Sequence, residues 1–528
     1  MPVTSDTVNR NENLSYSKKD IKTITVLISM VIPFYTAVEI STFICDQYTF
    51  YSFLTERGLP YGYGISSEAN NSIIMKSLQQ DAQKQTSLVQ SSNNFAAVAP
   101  GLISTLVVGY ISDRFGRKIA LGILIAGEAA QLGAVAIVVF FRLTPWALVA
   151  SNVLEGVIGG GLLSAIAQFS VCIVDLTNYD QLRSFTSIPN SVYERRRWVF
   201  LTLIDGLACL SLATANMIGG LLIHAYGFNI TMGGCIIIYV PVIILIFILP
   251  ETNTQRSIDN HNKVSEKEDF VHIESSCLGS FNQKIKQIST VVTSLRPVLI
   301  TIMGILFLVS VAAMVDSPFV TVYLMSDPFW WNSKKLGLVN GITDACSAIL
   351  SIIIVIILAR IQRSELTNLD TGDNDTLKRD DKSKPRSSSR FQSTLFNLLT
   401  FALGLMLLNR ILMSVAYLPQ PLTANIIVYL ALIPKLAKNM NFPLLRTLVA
   451  DWSSVQRKGL VLSLASFISR IGLLISVSAL PLVYSATLSY FPGAVFLVCA
   501  AMLLVSFCAA VYVIQLVFKF HFYDFYNF

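Results

Sequence analysis

Polar and apolar residues along this chain fall into long blocks rather than short alternations. Apolar runs of about 20 residues, the length of helix that crosses a hydrocarbon core, follow one another from Ile21 nearly to the C-terminus, parted by polar stretches. They predict twelve helices, at 21–45, 93–112, 119–141, 146–174, 198–224, 232–250, 297–324, 336–360, 393–418, 424–450, 459–485 and 491–518. The polar stretch 251–296 divides these six and six. The expected organisation is a tail at 1–20, a six-helix half at 21–250, a central loop at 251–296, a second six-helix half at 297–518 and a tail at 519–528. The expected fold class is all-α and membrane-embedded, two six-helix halves around a cleft.

Composition sharpens this picture. The chain is 53% hydrophobic and 13% charged, with a mean hydropathy of +0.60, and a soluble chain of 528 residues has nowhere to put that much apolar surface. The net charge of +7 implies no nucleic-acid partner, because the bases gather in loops on one side. Lys18-Lys19, Arg114/Arg117/Lys118, Arg195-Arg196-Arg197, Arg360/Arg363 and Arg457-Lys458 share that side, which places both termini in the cytoplasm. The first apolar block is too long for a signal-peptide core and is expected to stay as an anchor. The cysteines have neither a disulfide framework nor metal-ligand spacing. The segment 364–390 reads as a disordered loop. Of the four N-x-S/T sequons, Asn70 in the long first external loop is the expected glycosylation site; Asn13, Asn374 and Asn229 fall on the wrong side or too near the membrane.

Ionisable residues inside apolar helices are costly and point to function. The first half carries acids, Glu39, Glu128, Glu155 and Asp205; the second carries Arg410, Lys435, Lys438, Arg446 and Arg470 against only Asp316 and Asp344. Lys435, Asn439, Phe442 and Arg446 recur at the spacing of one helix face, around Pro443. Some of these bases neutralise the two acids or reach the membrane surface. The surplus positive charge calls for an anionic ligand, held by Arg446, Lys435, Asn439 and Lys438. Asp205, with Glu155, is the expected proton-coupling acid, since a poorly hydrated carboxyl can load and release protons. No nucleophile–base pattern stands out, so no enzyme is expected, and no metal or cofactor beyond a coupling proton.

Between the second and third blocks lies Gly109-Tyr110-Ile111-Ser112-Asp113-Arg114-Phe115-Gly116-Arg117-Lys118. This G-x-x-x-D-R-x-G-R-K pattern resembles the helix 2–3 loop of the major facilitator superfamily. Ile173-Val174-Asp175-Leu176-Thr177, Leu203-Ile204-Asp205 with Gly219-Gly220, Pro250-Glu251-Thr252, Thr321-Val322-Tyr323 and Trp331-Asn332-Ser333-Lys334 follow it. So do Pro443 to Arg446, Gly459 and Tyr484-Ser485-Ala486-Thr487-Leu488. In order and spacing these resemble the proton-coupled folate transporter family, solute carrier family 46. The resemblance implies the major facilitator fold, a substrate and proton role for Arg446, proton coupling for Asp205, and a gate made by Asp113, Arg114, Gly116 and Arg117. It departs in helix 7, where Val311-Ala312-Ala313-Met314 replaces a family histidine, in helix 4, where a family arginine is missing, and in the loss of an external cysteine pair.

The expected function is secondary active transport of a small organic anion, folate-like or another carboxylate or heterocyclic solute, coupled to protons, in the plasma membrane rather than the lysosome. Its partners are the substrate, protons and the lipid bilayer, with no obligate protein partner. A uniporter or exchanger of a conjugated anion in a lysosomal membrane, and a receptor or scaffold with a transporter fold, stand as alternatives.

Overall fold

A computed structural model describes residues 18–59, 73–183, 190–252, 297–313, 318–372, 389–418, 420–453 and 458–526. These residues are almost wholly helical. Inside lipid every backbone N–H and C=O must find a partner within its own segment, and a helix supplies it. The first half comprises α1 (Lys18–Glu56), α2 (Ile73–Phe115), α3 (Arg117–Phe140), α4 (Ala147–Ile158), α5 (Gly161–Arg183) and α6 (Asn190–Ile248). The second comprises α7 (Pro297–Ala313), α8 (Pro318–Leu324), α9 (Ser333–Gly372), α10 (Ser389–Val415) and α11 (Pro421–Lys435). It continues with a 3-10 turn (Lys438–Met440), α12 (Asn441–Trp452), α13 (Lys458–Thr487) and α14 (Ala494–Tyr526). Nine described helices are long and apolar enough to cross a membrane, and three shorter apolar ones accompany them. Their outward faces carry large apolar side chains such as Ile237 (72% exposed), Phe247 (76%) and Leu422 (77%), a surface suited to lipid rather than water.

Several boundaries differ from the apolar blocks, each for a local reason. The long first loop is largely helix: α1 runs on to Glu56 and α2 starts at Ile73, twenty residues before the apolar block. The added length of α2 buries polar side chains, Gln79, Gln83, Thr86, Ser87 and Gln90, which hydropathy does not register. The block at 146–174 is two helices, because Gly160 and Gly161 adopt φ of +75° and +72°, outside helical space. The fifth and sixth blocks run together as α6, bent at Gly227 (φ 76°). The block at 424–450 breaks after Lys435. Pro443 has no N–H to give the Asn439 carbonyl four residues back, and Ser351 Oγ of α9 donates to that carbonyl instead, at 3.2 Å. Finally, α9 continues to Gly372, into the stretch expected as loop. Asn70, Asp316, the central loop from residue 253 and residues 373–388 lie outside the described residues.

The halves meet along two seams, α2 with α13 and α6 with α9. In the α6–α9 seam backbones touch: a side-chain carbon on Gly337 would stand 2.7 Å from Gly220 Cα, and one on Gly341 would stand 2.7 Å from the Ala213 carbonyl. Gly337 and Gly341 form the small-x-x-x-small spacing that lets spanning helices approach closely. In the α2–α13 seam Asn94 Nδ2 donates to the Val477 carbonyl at 3.3 Å, and Ser91 Oγ to the Ser478 carbonyl at 2.5 Å. These bonds, with the Lys76–Asp327 ion pair at 3.4 Å, lie toward the face where α1 ends and α2 begins.

Candidate functional site

The loop between α2 and α3 folds into a closed network at the opposite face. Gly116 takes φ 115°, ψ 155°, open to glycine alone in practice. The turn aims the Arg117 and Lys118 backbone N–H groups at Glu251, whose Oε1 and Oε2 accept from them at 2.8 and 3.2 Å. A carboxylate at a helix N-terminus satisfies orphan donors and meets the positive end of the dipole. Lys118 Nζ returns the favour at the end of α6, donating to the Phe247 carbonyl at 2.8 Å. Arg117 donates through Nε to Asp175 Oδ2 at 2.7 Å, and through Nη1 to Asp113 Oδ1 at 2.5 Å and Ser112 Oγ at 2.9 Å. Arg117 and Asp175 are mostly buried (13% and 20% exposed), whereas Asp113 is 75% exposed. Arg114 points away, its Nη1 donating to the Tyr110 hydroxyl. Asp175 and Glu251 are the two partners that the ten-residue pattern does not contain. Both sit in segments that carry the family resemblance, but nothing in the spacing joins them to the loop.

At mid-depth a second cluster forms where α9 faces the break between α11 and α12. Lys435, at the last turn of α11, is 6% exposed. Its ammonium has one long contact, to Asn340 Oδ1 at 3.5 Å, and no ion pair among the described residues. Lys438 Nζ lies 3.8 Å from Asp344 Oδ1. The Asn439 N–H donates to Ser347 Oγ at 3.4 Å. From the first half, Glu39 of α1 accepts from Asn216 Nδ2 of α6 at 3.0 Å and lies within electrostatic range of Asp344 and Lys438. Four helices from both halves thus bring acids, bases and amides to one level; the contacts of Lys435, Lys438 and Asn439 are long, whereas the Glu39–Asn216 bond is of ordinary length. The sequence marks each of these charges as out of place in lipid; it does not show that Glu39 meets the second half's pair.

The other sequence-derived residues are placed as follows. Arg446 is exposed on α12, beyond the break, so it does not continue one unbroken helical face with Lys435. Asp205 lies within α6, but its side chain is outside the described set. Arg410 is fully buried, and its Nη2 donates to the Ala312 carbonyl near the end of α7 at 3.2 Å, a cation at a helix C-terminus. Arg470 Nη1 crosses from α13 to Thr105 Oγ1 of α2 at 2.6 Å. Glu155 lies in the last turn of α4, its carboxylate beside Gly161.

A bundle of this kind, with a glycine-turned loop between α2 and α3 and a polar level shared by both halves, is that of a multi-pass membrane transporter. The sequence profile of the Major Facilitator Superfamily matches residues 61–369, and the chain belongs to that superfamily, whose members are transporters and not enzymes. A lysosomal proton-coupled steroid conjugate and bile acid symporter from Bos taurus, of solute carrier family 46, is 24% identical over 311 residues. That match covers 57% of this chain and 61% of the relative, so the chain spans about three fifths of the curated relative it matches. The fold is also similar to three solved structures. The D-xylose–proton symporter gives a TM-score of 0.55 at 14% identity, over 94% of this chain and 96% of that one. The inward-open xylose transporter from E. coli gives 0.54 at 14%, over 93% and 95%. The human organic anion transporter MFSD10 gives 0.51 at 13%, over 94% and 100%.

Proposed function

We propose that this transporter moves an organic anion by alternating access, with a proton as coupling ion. Lys435 carries the reading. A buried ammonium with one long amide contact is an expensive arrangement, and an anionic group of the solute compensates it. Lys438 and Asn439 complete the anion site, and Arg446 stands at its approach from the terminal face. Asp113, Arg114, Gly116 and Arg117 gate that face, with Asp175 and Glu251 as their support. Asp205 and Glu155 are the proposed proton-coupling acids. The relative's printed name, a proton-coupled symporter of steroid conjugates and bile acids, supports both halves of the proposal.

The test is uptake into proteoliposomes of a panel comprising a bile acid, a steroid sulfate and a folate, at acidic and neutral pH outside. Saturable uptake of at least one anion, raised by outside acid and abolished in Lys435→Gln, is expected. Uptake restricted to neutral or cationic solutes overturns the anion assignment. An unchanged rate across pH in wild type overturns the coupling. From the sequence, both termini are expected in the cytoplasm and the plasma membrane is favoured over the lysosome, whereas the relative's name points to the lysosome. Surface labelling of intact cells against co-staining of lysosomes decides between them.

A further inference from the structure

In the first half α3 and α4 pack against one another, and two contacts set their antiparallel register. Gln131 Nε2 donates to Asn152 Oδ1 at 2.9 Å. Seven residues back on α3, Leu124 Cα would stand 3.3 Å from a side-chain carbon on Gly159, seven residues on from Asn152. Between these two points the same register sets Glu128 opposite Glu155, and the two carboxyls interact electrostatically. Just beyond Glu155 the helix is broken. The Gly159 and Gly160 N–H groups both donate to the Glu155 carbonyl at 3.1 Å, and the chain turns through Gly160 and Gly161 before α5 starts.

The two acids differ in their surroundings. The Glu155 carboxylate leaves no room for a side chain on Gly161, where a carbon would stand 2.5 Å from Oε1. Glu128 is 2% exposed, and both of its carboxyl oxygens are buried without a hydrogen-bond partner. From α6, Tyr239 faces it, but that hydroxyl donates to the Ile125 carbonyl at 2.9 Å. From α1, Cys45 faces Glu155, while the adjacent Asp46 accepts from Gln90 of α2 at 3.2 Å. Ser104 of α2 donates to the Gly156 carbonyl, and Thr105 is taken by Arg470, the base of the second half that reaches this level. Two ionised carboxyls opposed in a low-dielectric layer carry a charge that such a layer does not tolerate uncompensated. Helices broken within the membrane are where secondary transporters hold coupling ions, because helix ends and freed carbonyls complete the ligand shell.

We propose that Glu128 and Glu155 form a binding site for one monovalent cation, a proton or Na+, at the Gly159–Gly161 break. The site is distinct from the anion cluster at α9 and α11. It deepens, and for its role in transport rests on, the reading of the protein as an ion-coupled transporter. Occupancy removes the surplus negative charge from the α3–α4 layer. Release restores it beside Thr105, where the Arg470 bond ties the first half to the second.

The experiment uses the full chain in nanodiscs with no organic solute. A cation bound by the folded state alone stabilises it in proportion to the logarithm of its concentration once the site is filling. Thermal midpoints are read in two arms: against pH with N-methylglucamine as the only other cation, and against NaCl at fixed neutral pH with ionic strength held by N-methylglucamine chloride. A midpoint that rises with acid names the proton, and one that rises with Na+ names sodium. In Glu128→Gln, which replaces the carboxyl by a neutral group of nearly the same shape, the response should be lost and the midpoint should equal or exceed that of unliganded wild type. Glu128→Asp should keep the response with a displaced titration, and it serves if the Gln variant does not fold. Flat wild-type titrations in both arms, or a response retained in full in Glu128→Gln, overturn the site. Because no solute is present, either result leaves anion transport to be judged on its own test.

Discussion

The proposed gate at α2–α3 and the cluster at α9–α11 contain the same kinds of residue, yet they are built differently. At the gate each charge named above meets its partner closely: Arg117 bonds Asp175 at 2.7 Å and Glu251 accepts from the α3 N-terminus at 2.8 Å. In the cluster the corresponding distances are 3.5 Å for Lys435 and 3.8 Å for Lys438. Close, mostly buried and geometrically complete bonds hold a structure together. Long contacts around a buried ammonium do not, and they leave its bonding capacity for a ligand. The same residue types therefore pair closely in one region and loosely in the other, the contrast on which the proposed anion site rests.

Substitutions can break this contrast, and the expected losses of stability run from the gate downward. Gly116→Ala should cost most. Its backbone conformation alone is worth on the order of 1–3 kcal/mol against a side chain, and the new carbon would meet the Glu251 carboxylate. The thermal midpoint and the surface level of the variant check this; an unaffected midpoint would show that the turn is not strained. Arg117→Gln should follow at about 1–3 kcal/mol, the worth of hydrogen bonds to a charged group, because Asp175 is only 20% exposed and loses its base. Asp113→Asn should cost well under 1 kcal/mol, since the carboxylate is 75% exposed and solvent screens the pair. Its effect is expected on maximal transport rate rather than on apparent affinity. A larger midpoint loss for Asp113 than for Asp175 would reverse the assignment of which acid holds the arginine. Lys438→Gln should move stability least, within about 0.5 kcal/mol, because its pair with Asp344 is long and partly hydrated.

Much of this was legible in the sequence, though unevenly. Apolar blocks locate spanning helices because lipid demands long apolar runs, so α3 and α10 lie where the blocks put them, while α14 runs past its block to Tyr526. Hydropathy missed the first twenty residues of α2, which bury glutamine and hydroxyl side chains against protein rather than lipid. It also missed the break at Gly159–Gly161, since glycines in an apolar run read equally as a packing surface or as a turn. For the gate, the loop pattern singled out Asp113, Gly116 and Arg117, but Asp175 and Glu251 reach them only through the packing of α5 and α6 on α3. For the cluster, counting charges identified Lys435 and Lys438. The spacing argument that tied them to Arg446 assumed an unbroken helix, and the missing N–H of Pro443 removes that assumption. The approach of Glu39 to Asp344 and Lys438 joins residues about three hundred and about four hundred positions apart, and no local pattern carries it.

The most direct test of the contrast is Lys435→Gln, measured in parallel with Arg117→Gln for thermal stability and for binding of the anion that the uptake panel selects. Lys435→Gln is expected to keep or raise the thermal midpoint, because it removes a buried charge that has no ion-pair partner among the described residues, and to lose anion binding. A midpoint that falls as far as that of Arg117→Gln, with anion binding intact, would contradict the account by showing that Lys435 belongs to the framework and not to the site.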